Sequence, residues 1–226
     1  MHVVCVNYFF DWHLTTPDDL LGRYETLTGW ADGLTAAGAL VSVVQRFRED
    51  AEARRGGVRY QFVKDRTWRP GSLLDRPNRM HRTIAELRPD VVHINGLQFA
   101  RQACQLKRML RSKAPPAPFP VPILLQDHAD TPPRRWLNRW TLLPALRRMD
   151  AVAFAAREQA LPWQAGGFLR SDQPIGELME GSSRFCLQLR ADARARTGLS
   201  GDPLCLWVGR LNANTALTHE VGEPAG

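Results

Sequence analysis

Residues 90–96, D-V-V-H-I-N-G, have the composition of a short buried strand that ends in a polar turn. Apolar residues recur at helical spacing over 80–87 before this segment and over 99–110 after it, and Pro89 ends the first of these helices. A strand between two helices is the repeating unit of a parallel sheet, in which each helix crosses over to the next strand. The segment therefore predicts an α/β fold.

The same alternation of strands and helices continues along the chain. The helix start signal T-P-D-D at 16–19 combines a capping threonine, a first-turn proline and two acidic residues, and Gly38 ends this helix. Predicted strands cover 2–9, 39–44, 58–63, 90–95, 122–127, 151–154 and 204–208, and further predicted helices cover 136–146 and 182–197. The predicted fold class is α/β, a Rossmann-like parallel sheet with helices on both faces.

Polar residues follow several of these strands, at the carboxyl ends where such sheets bind ligands. Asn95 and Gly96 are predicted to bind substrate, since glycine lets a ligand approach the backbone closely. Gly209 and Arg210 follow the last predicted strand. A glycine there admits a phosphate group, and an arginine can bind its oxygens in bidentate fashion.

A histidine and two aspartates, Asp127, His128 and Asp130, directly follow another predicted strand. His128 is predicted to be catalytic, since its imidazole can donate a hydrogen bond to a ligand or transfer a proton, and Asp127 and Asp130 are predicted to bind substrate. Alternatively, the histidine and the aspartates organise the loop. These side chains can also ligate a metal, but one imidazole and two nearby carboxylates are a weak metal pattern, and we expect none. His93, in mid-strand, is expected to be a hydrogen-bonded core residue.

Composition and the absence of certain motifs exclude or disfavour several other classes of protein. No run reaches the roughly 18 apolar residues of a membrane span, and the N-terminus has no basic leader. The four cysteines are scattered, which indicates buried thiols in a reducing compartment, the cytoplasm. The sequence has no Walker loop, no G-x-G-x-x-G and no G-x-S-x-G. A P-loop NTPase is thereby excluded, and a dinucleotide binder and an α/β-hydrolase are disfavoured.

The chain carries a net charge of +7, and only three of its 30 basic residues are lysines. The arginines are dispersed and are not interleaved with aromatic residues, so the sequence predicts no nucleic-acid partner. A basic surface of this kind favours a phosphate-bearing substrate or an anionic membrane, such as the inner membrane surface.

Five segments, in this order, resemble the N-terminal half of a GT-B glycosyltransferase, in particular glycosyltransferase family 4. They read L-T-A-A-G-A-L-V-S-V-V, D-V-V-H-I-N-G, L-L-Q-D-H, R-R-M-D-A-V-A-F and L-C-L-W-V-G-R-L-N, and the resemblance extends over residues 1–212. The order and spacing of the segments carry the resemblance, since each of them is short.

The resemblance implies an acceptor-side domain, residues 1–200, followed by the start of a donor domain, residues 201–226, that is cut off after its first strand. Enzymes of this kind transfer a hexose from a nucleotide-sugar to a glycan, a lipid-linked or a small-molecule acceptor, with retention of configuration and without a metal or cofactor. His128 matches the histidine that contacts the transferred sugar. Gly209 and Arg210 match the start of the phosphate clamp, which stabilises the leaving diphosphate.

The chain departs from the family pattern at four places. No lysine follows Arg210, the glutamates that hold the donor are absent, 179–185 reads M-E-G-S-S-R-F, and no glycine-rich turn follows the strand at 2–9. We therefore expect this chain to lack donor binding and activity by itself. The alternative is a non-catalytic acceptor-binding module, or a subunit that a separate donor domain completes.

Overall fold

The structure, a computed structural model, describes residues 1–65, 74–113, 120–128, 130–179 and 186–204. The chain divides into two compact units, Met1–Ser183 and Arg184–Gly226. The predicted domain boundary at residue 200 stays a prediction, because residues 205–226 lie outside the described part. Gly209 and Arg210, and all of the last predicted strand except its first residue, lie outside the described residues as well.

The first unit contains one sheet. Its strands are β1 (His2–Asn7), β2 (Leu40–Phe47), β3 (Ala51–Arg55), β4 (Val58–Lys64), β5 (Val91–Asn95), β6 (Ile123–Gln126), β7 (Ala151–Phe154) and β8 (Ile175–Glu177). They lie in the order β3-β4-β2-β1-β5-β6-β7-β8. Neighbouring strands are parallel, except that β3 and β4 form an antiparallel hairpin.

The strand order reverses at the centre of this sheet. From β1 the chain adds β2 and β4 on one side and then returns to add β5 to β8 on the other. Strand β1 therefore pairs with both β2 and β5, with His2 beside Leu40 and Val3 beside Val91. In open parallel sheets, ligands bind in the crevice beyond the carboxyl ends of the strands at such a reversal.

Helices cover both faces of the sheet. They are α1 (Pro17–Arg23), α2 (Glu25–Ala36), α3 (Asn78–Glu86), α4 (Ala100–Lys113), α5 (Trp136–Leu146) and α6 (Leu161–Ala165), and the second unit contains α7 (Arg190–Thr197). Val4 and Val6 of β1 pack in the core beneath α3 to α6, whereas Val3 and Cys5 pack beneath α1 and α2. Successive strand residues point to opposite faces, so one strand supplies both cores. The predicted fold class is confirmed.

The prediction of one helix from residue 16 to Gly38 is wrong in one respect, because this segment forms two helices, α1 and α2. Thr16 caps the first, as predicted, by accepting a hydrogen bond from the Asp19 backbone N–H at 3.1 Å. Tyr24 then leaves the helical conformation, with φ −101° and ψ 67°, and its hydroxyl donates to Asp11 at 2.8 Å. The second helix ends just before Gly38, which has a φ of 87°.

Several short elements were not predicted, namely β3, β8 and α6. Strand β3 reads A-E-A-R-R and is too polar to give a strand pattern, but Gly56 and Gly57 join it to β4 in a two-residue turn. Both glycines have a positive φ, 59° and 83°, as tight hairpin turns require. The predicted helix 182–197 is shorter than expected among the described residues, since α7 begins at Arg190.

None of the helices in the described residues combines the length and the apolar composition needed to cross a bilayer.

Candidate functional site

The carboxyl ends of β5, β6 and β7 lie side by side and are joined by backbone hydrogen bonds beyond the strands themselves. Asn95 pairs with Gln126 in the register of β5 and β6. The Gly96 N–H donates to the Gln126 carbonyl at 2.8 Å, and the Asp127 N–H donates to the Ala153 carbonyl at 2.8 Å. The structure therefore brings three predicted site residues, Asn95, Gly96 and Asp127, to adjacent positions at one edge of the sheet.

Gly96 occupies a position that requires glycine. Its φ is 98°, and a Cβ atom there would lie 2.5 Å from the side-chain oxygen of Gln98. This conformation turns the chain sharply from β5 into a 3-10 turn, Leu97–Phe99, and then into α4. The turn places the first residues of α4 directly beside the ends of β5 and β6.

His93 is a core residue, as predicted. It is buried, its Nε2 lies 2.9 Å from the Gln126 Oε1, and its ring lies 5.3 Å from that of Trp30. Burial lowers the pKa of His93 to about 4, against a smaller opposing effect of the hydrogen bond with Gln126, and the charge of His128 lowers it further. The imidazole of His93 is therefore neutral at neutral pH.

The three residues that follow β6 differ in exposure. Asp127 is fully buried, whereas His128 and Asp130 are exposed. His128 follows β6 by two residues, and its charge acts on the buried His93 of β5. The predicted roles of His128 in catalysis and of Asn95, Gly96, Asp127 and Asp130 in substrate binding stay predictions.

A cleft of about 250 Å³ opens at the same edge, and Asp130 is one of its lining residues. The other walls come from the start of α4, from the loop after β6, from α5 and from α6. These lining residues are Gln98, Arg101, Thr131, Pro133, Asn138, Thr141, Leu142 and Trp163. Six of the nine lining residues have polar or charged side chains, while Pro133, Leu142 and Trp163 form apolar parts of the wall.

Arg101 is a lining residue that the sequence-based prediction missed. Burial lowers the pKa of its guanidinium, and the negative charge of Asp75 partly offsets this effect. The sequence does carry a signal for it, because a cation in the first turn of a helix is unfavourable beside the positive end of the helix dipole. Arg101 therefore stands at a position that costs electrostatic energy, five residues after the strand-end Gly96.

A buried polar network supports the cleft from below. The Arg46 guanidinium donates to both carboxylate oxygens of Asp75, at 2.9 and 3.0 Å, and both side chains are fully buried. The Gln102 amide donates to the same carboxylate at 3.2 Å. This network joins the end of β2, the residues before α3 and the first turn of α4, and therefore fixes the helix turn that carries Arg101.

Polar atoms without a partner lie at the same edge. The Oδ1 of Asn95 and the Nε2 of Gln126 are buried and form no hydrogen bond with a described residue, and the same is true of the Trp163 Nε1. Buried polar atoms normally have hydrogen-bond partners, so such atoms need an explanation. Within the described part of the chain, no group of three or more His, Cys, Asp and Glu side chains is arranged to hold a metal ion.

Comparison with solved structures finds a similar fold. The chain is similar to a sucrose-phosphate synthase from Thermosynechococcus elongatus, with a TM-score of 0.52 and 12% identity, over 88% of this chain and 53% of that one. A second structure of sucrose-phosphate synthase from that organism gives a TM-score of 0.47 at 14% identity, over 81% of this chain and 90% of that one. An α,α-trehalose 6-phosphate synthase from Burkholderia multivorans gives a TM-score of 0.44 at 16% identity, over 73% of this chain and 41% of that one.

The first of these likenesses shows the fold and nothing more, because the identity is low. The fold is the Rossmann-like half of a GT-B structure. The chain spans about half the length of that sucrose-phosphate synthase, 53%. No protein-family model and no curated protein sequence matches the chain.

Proposed function

We propose that this chain is the acceptor-side part of a GT-B glycosyltransferase of the family 4 kind, which transfers a hexose from a nucleotide-sugar with retention of configuration. The observation that carries the proposal is the cleft beside the ends of β5 and β6, lined by both polar and apolar side chains, on a Rossmann-like fold shared with a sucrose-phosphate synthase. In this proposal the cleft holds the acceptor, and Gly209 and Arg210 begin the donor phosphate site.

The chemistry of the cleft suits a small hydroxylated acceptor. Hydroxyl and amide side chains, such as Thr131 and Asn138, can exchange hydrogen bonds with sugar hydroxyls, while the largely buried Trp163 indole forms an apolar part of the wall. The volume of the cleft, about 250 Å³, lies just below the roughly 300–1,000 Å³ of pockets for drug-sized ligands. We therefore favour a small-molecule acceptor, or the terminal sugar of a glycan or lipid-linked acceptor, over a long chain bound along its length.

Arg101 makes an anionic acceptor the best candidate. A guanidinium binds phosphate or carboxylate oxygens in bidentate fashion, and charge-assisted hydrogen bonds are the stronger ones in proteins. A neighbour in fold is named for a sugar phosphate, sucrose phosphate, which agrees with this preference. His128, exposed beside the cleft residue Asp130, is proposed to contact the transferred sugar.

Acceptor binding can be tested on this chain directly by calorimetry with sugar phosphates and with the same sugars lacking phosphate. We expect binding of a sugar phosphate, and we expect Arg101→Gln to weaken it by roughly 10- to 100-fold, as loss of a charge-assisted hydrogen bond does. Arg54→Gln, which removes an exposed arginine on β3, is the matched control and should bind like the unaltered chain. Equal binding by the Arg101→Gln and Arg54→Gln variants would argue against the assigned cleft.

The transfer reaction needs a second test, because the proposed donor site begins at Gly209. UDP- and GDP-sugars should bind to this chain joined to a donor domain and not to this chain alone. Binding of an acceptor without donor binding in either form would instead favour the alternative, a non-catalytic acceptor-binding module. The proposal also places the protein in the cytoplasm, where its excess of arginine permits contact with the inner membrane surface.

A further inference from the structure

Helix α5 carries apolar side chains around most of its circumference. Ala145 and Leu146 are buried in the core, and Leu142 and Leu143 pack against it. Trp136, Leu137 and Trp140, here named the tryptophan face, are 66%, 60% and 77% exposed. At about 100° per residue these three positions fall within about 100° of arc, opposite Leu142 and Ala145, while Leu143 lies within about 20° of Trp136 two turns further along the helix. Packing in the core therefore does not explain them.

A surface of this kind is unusual for a helix with one buried face. Helices on the surface of globular proteins carry polar residues opposite their core-facing stripe. Contiguous exposed apolar side chains with a polar rim mark sites of interaction with another protein, a ligand or a membrane. Two tryptophans in one such face are characteristic of an interface, because the indole ring combines a large apolar body with one polar N–H.

The charges around the tryptophan face indicate what covers it. Between Asp130 and Asp150 the sequence has five arginines and no acidic residue. Arg139 points inward, where it donates to the Gly166 carbonyl at 3.0 Å and lies 4.8 Å from the centre of the Phe168 ring. The other four arginines are exposed, at both ends of the helix: Arg134, Arg135, Arg147 and Arg148.

Helix α4 extends this positive surface beyond the end of α5. A cleft of about 480 Å³ is lined by Cys104, Lys107, Arg108, Arg111 and Arg148. The Lys107 ammonium is paired with Asp150 at 2.6 Å. Arg108 donates to the Cys104 carbonyl of α4, and Arg148 donates to the Pro144 carbonyl of α5. Neither forms an ion pair with a described residue, so their charges remain available to an anionic partner.

We propose that the tryptophan face and these arginines form a docking surface for a bilayer that contains anionic lipid. Tryptophan is enriched at the headgroup level of membranes, where its ring inserts, and arginines beside it bind the lipid phosphates. Each arginine near an anionic surface strengthens binding by roughly fivefold. The apolar face alone would also fit a protein partner, but residues 131–149 contain five arginines and no acidic residue, and this charge is complementary to a uniformly negative surface. The inference deepens the membrane contact named in the proposed function and does not rest on the glycosyltransferase assignment.

Flotation with vesicles tests this surface. The full chain should bind vesicles of phosphatidylcholine with phosphatidylglycerol, bind pure phosphatidylcholine far less, and lose binding as salt screens the arginines. Trp136→Ser with Trp140→Ser should weaken binding by about tenfold or more, since two exposed rings no longer insert. Arg134→Gln with Arg135→Gln should weaken it by roughly 25-fold.

Matched controls separate this surface from nonspecific attraction. Trp12→Ser removes a tryptophan that is 68% exposed, and Arg54→Gln with Arg55→Gln removes two exposed arginines from β3. Both should bind vesicles like the unaltered chain. Absence of binding to anionic vesicles, or equal losses in the α5 variants and the controls, would overturn the proposal. So would a dimer, seen by analytical ultracentrifugation, that only Trp136→Ser with Trp140→Ser abolishes while vesicles do not bind.

Discussion

At the scale of single residues, the edge of the sheet depends on charged and polar groups that are held away from water. The Arg46–Asp75 pair is fully buried, and His81 lies beside it with its Nε2 3.0 Å from the Tyr8 hydroxyl. Removing one member of such a pair leaves an uncompensated buried charge, which is why these residues act as a unit. Sequence patterns could not find this network, because Arg46 is separated from Asp75 by two strands and a turn.

A pH dependence of stability follows from His93. Its folded-state pKa of about 4 lies below the 6.5 of an ordinary histidine, chiefly through burial. Between these two pH values the unfolded chain binds a proton at this residue that the folded chain does not. The free energy of unfolding should therefore fall as the pH falls from 6.5 to 4, by roughly 3 kcal/mol in total from this residue. Above 6.5 both states are neutral and the contribution is constant.

His93→Gln isolates this contribution, since glutamine can still form a hydrogen bond with Gln126 but does not titrate. Urea unfolding at several pH values should show a flatter pH dependence for the variant between pH 4 and 6.5. The difference in slope should correspond to about one proton. Identical slopes for the two proteins would mean that His93 has the same pKa in the folded and unfolded states, against the effect of burial.

At the scale of elements, β-branched and apolar runs were enough to predict β1, β2 and β4 to β7. The short elements could not be predicted, for physical reasons. Strand β3 is an exposed edge whose five residues include three charges, and β8 has three residues. Both are held by pairing with a neighbouring strand rather than by an apolar pattern, so tertiary structure forms them where propensity does not.

Two glycines illustrate how local conformation sets the effect of one methyl group. Gly57 turns the β3–β4 hairpin with a φ of 83°, and Gly57→Ala should lower the free energy of unfolding by about 1–2 kcal/mol. Gly22 lies in α1, and a Cβ atom at this position would meet open space. Gly22→Ala should therefore raise the free energy of unfolding by about 0.5–1 kcal/mol. Urea unfolding of both variants measures the two values, and changes of the same sign would contradict this account.

At the scale of the whole molecule, the alternation of strands and helices predicted the parallel sheet, and the strand-end rule led to Asn95, Gly96 and Asp127. The cleft itself could not be predicted, because its walls come from four separate elements whose packing no local pattern records. Arg101, Asn138 and Trp163 meet there only after α4, α5 and α6 have packed on one face.

The sheet and both cores lie within Met1–Ser183, so residues 1–183 should fold without the rest of the chain. We expect this fragment to unfold in urea in one cooperative transition and to keep its far-ultraviolet circular dichroism.

A fragment of residues 1–174 lacks β8, which pairs with β7 through Val152 beside Ile175. That loss uncovers the edge of an apolar strand, and exposed edges of this kind associate. The shorter fragment should therefore unfold at lower urea and form larger species in ultracentrifugation. If residues 1–183 unfolded without cooperativity, the fold would depend on the second unit.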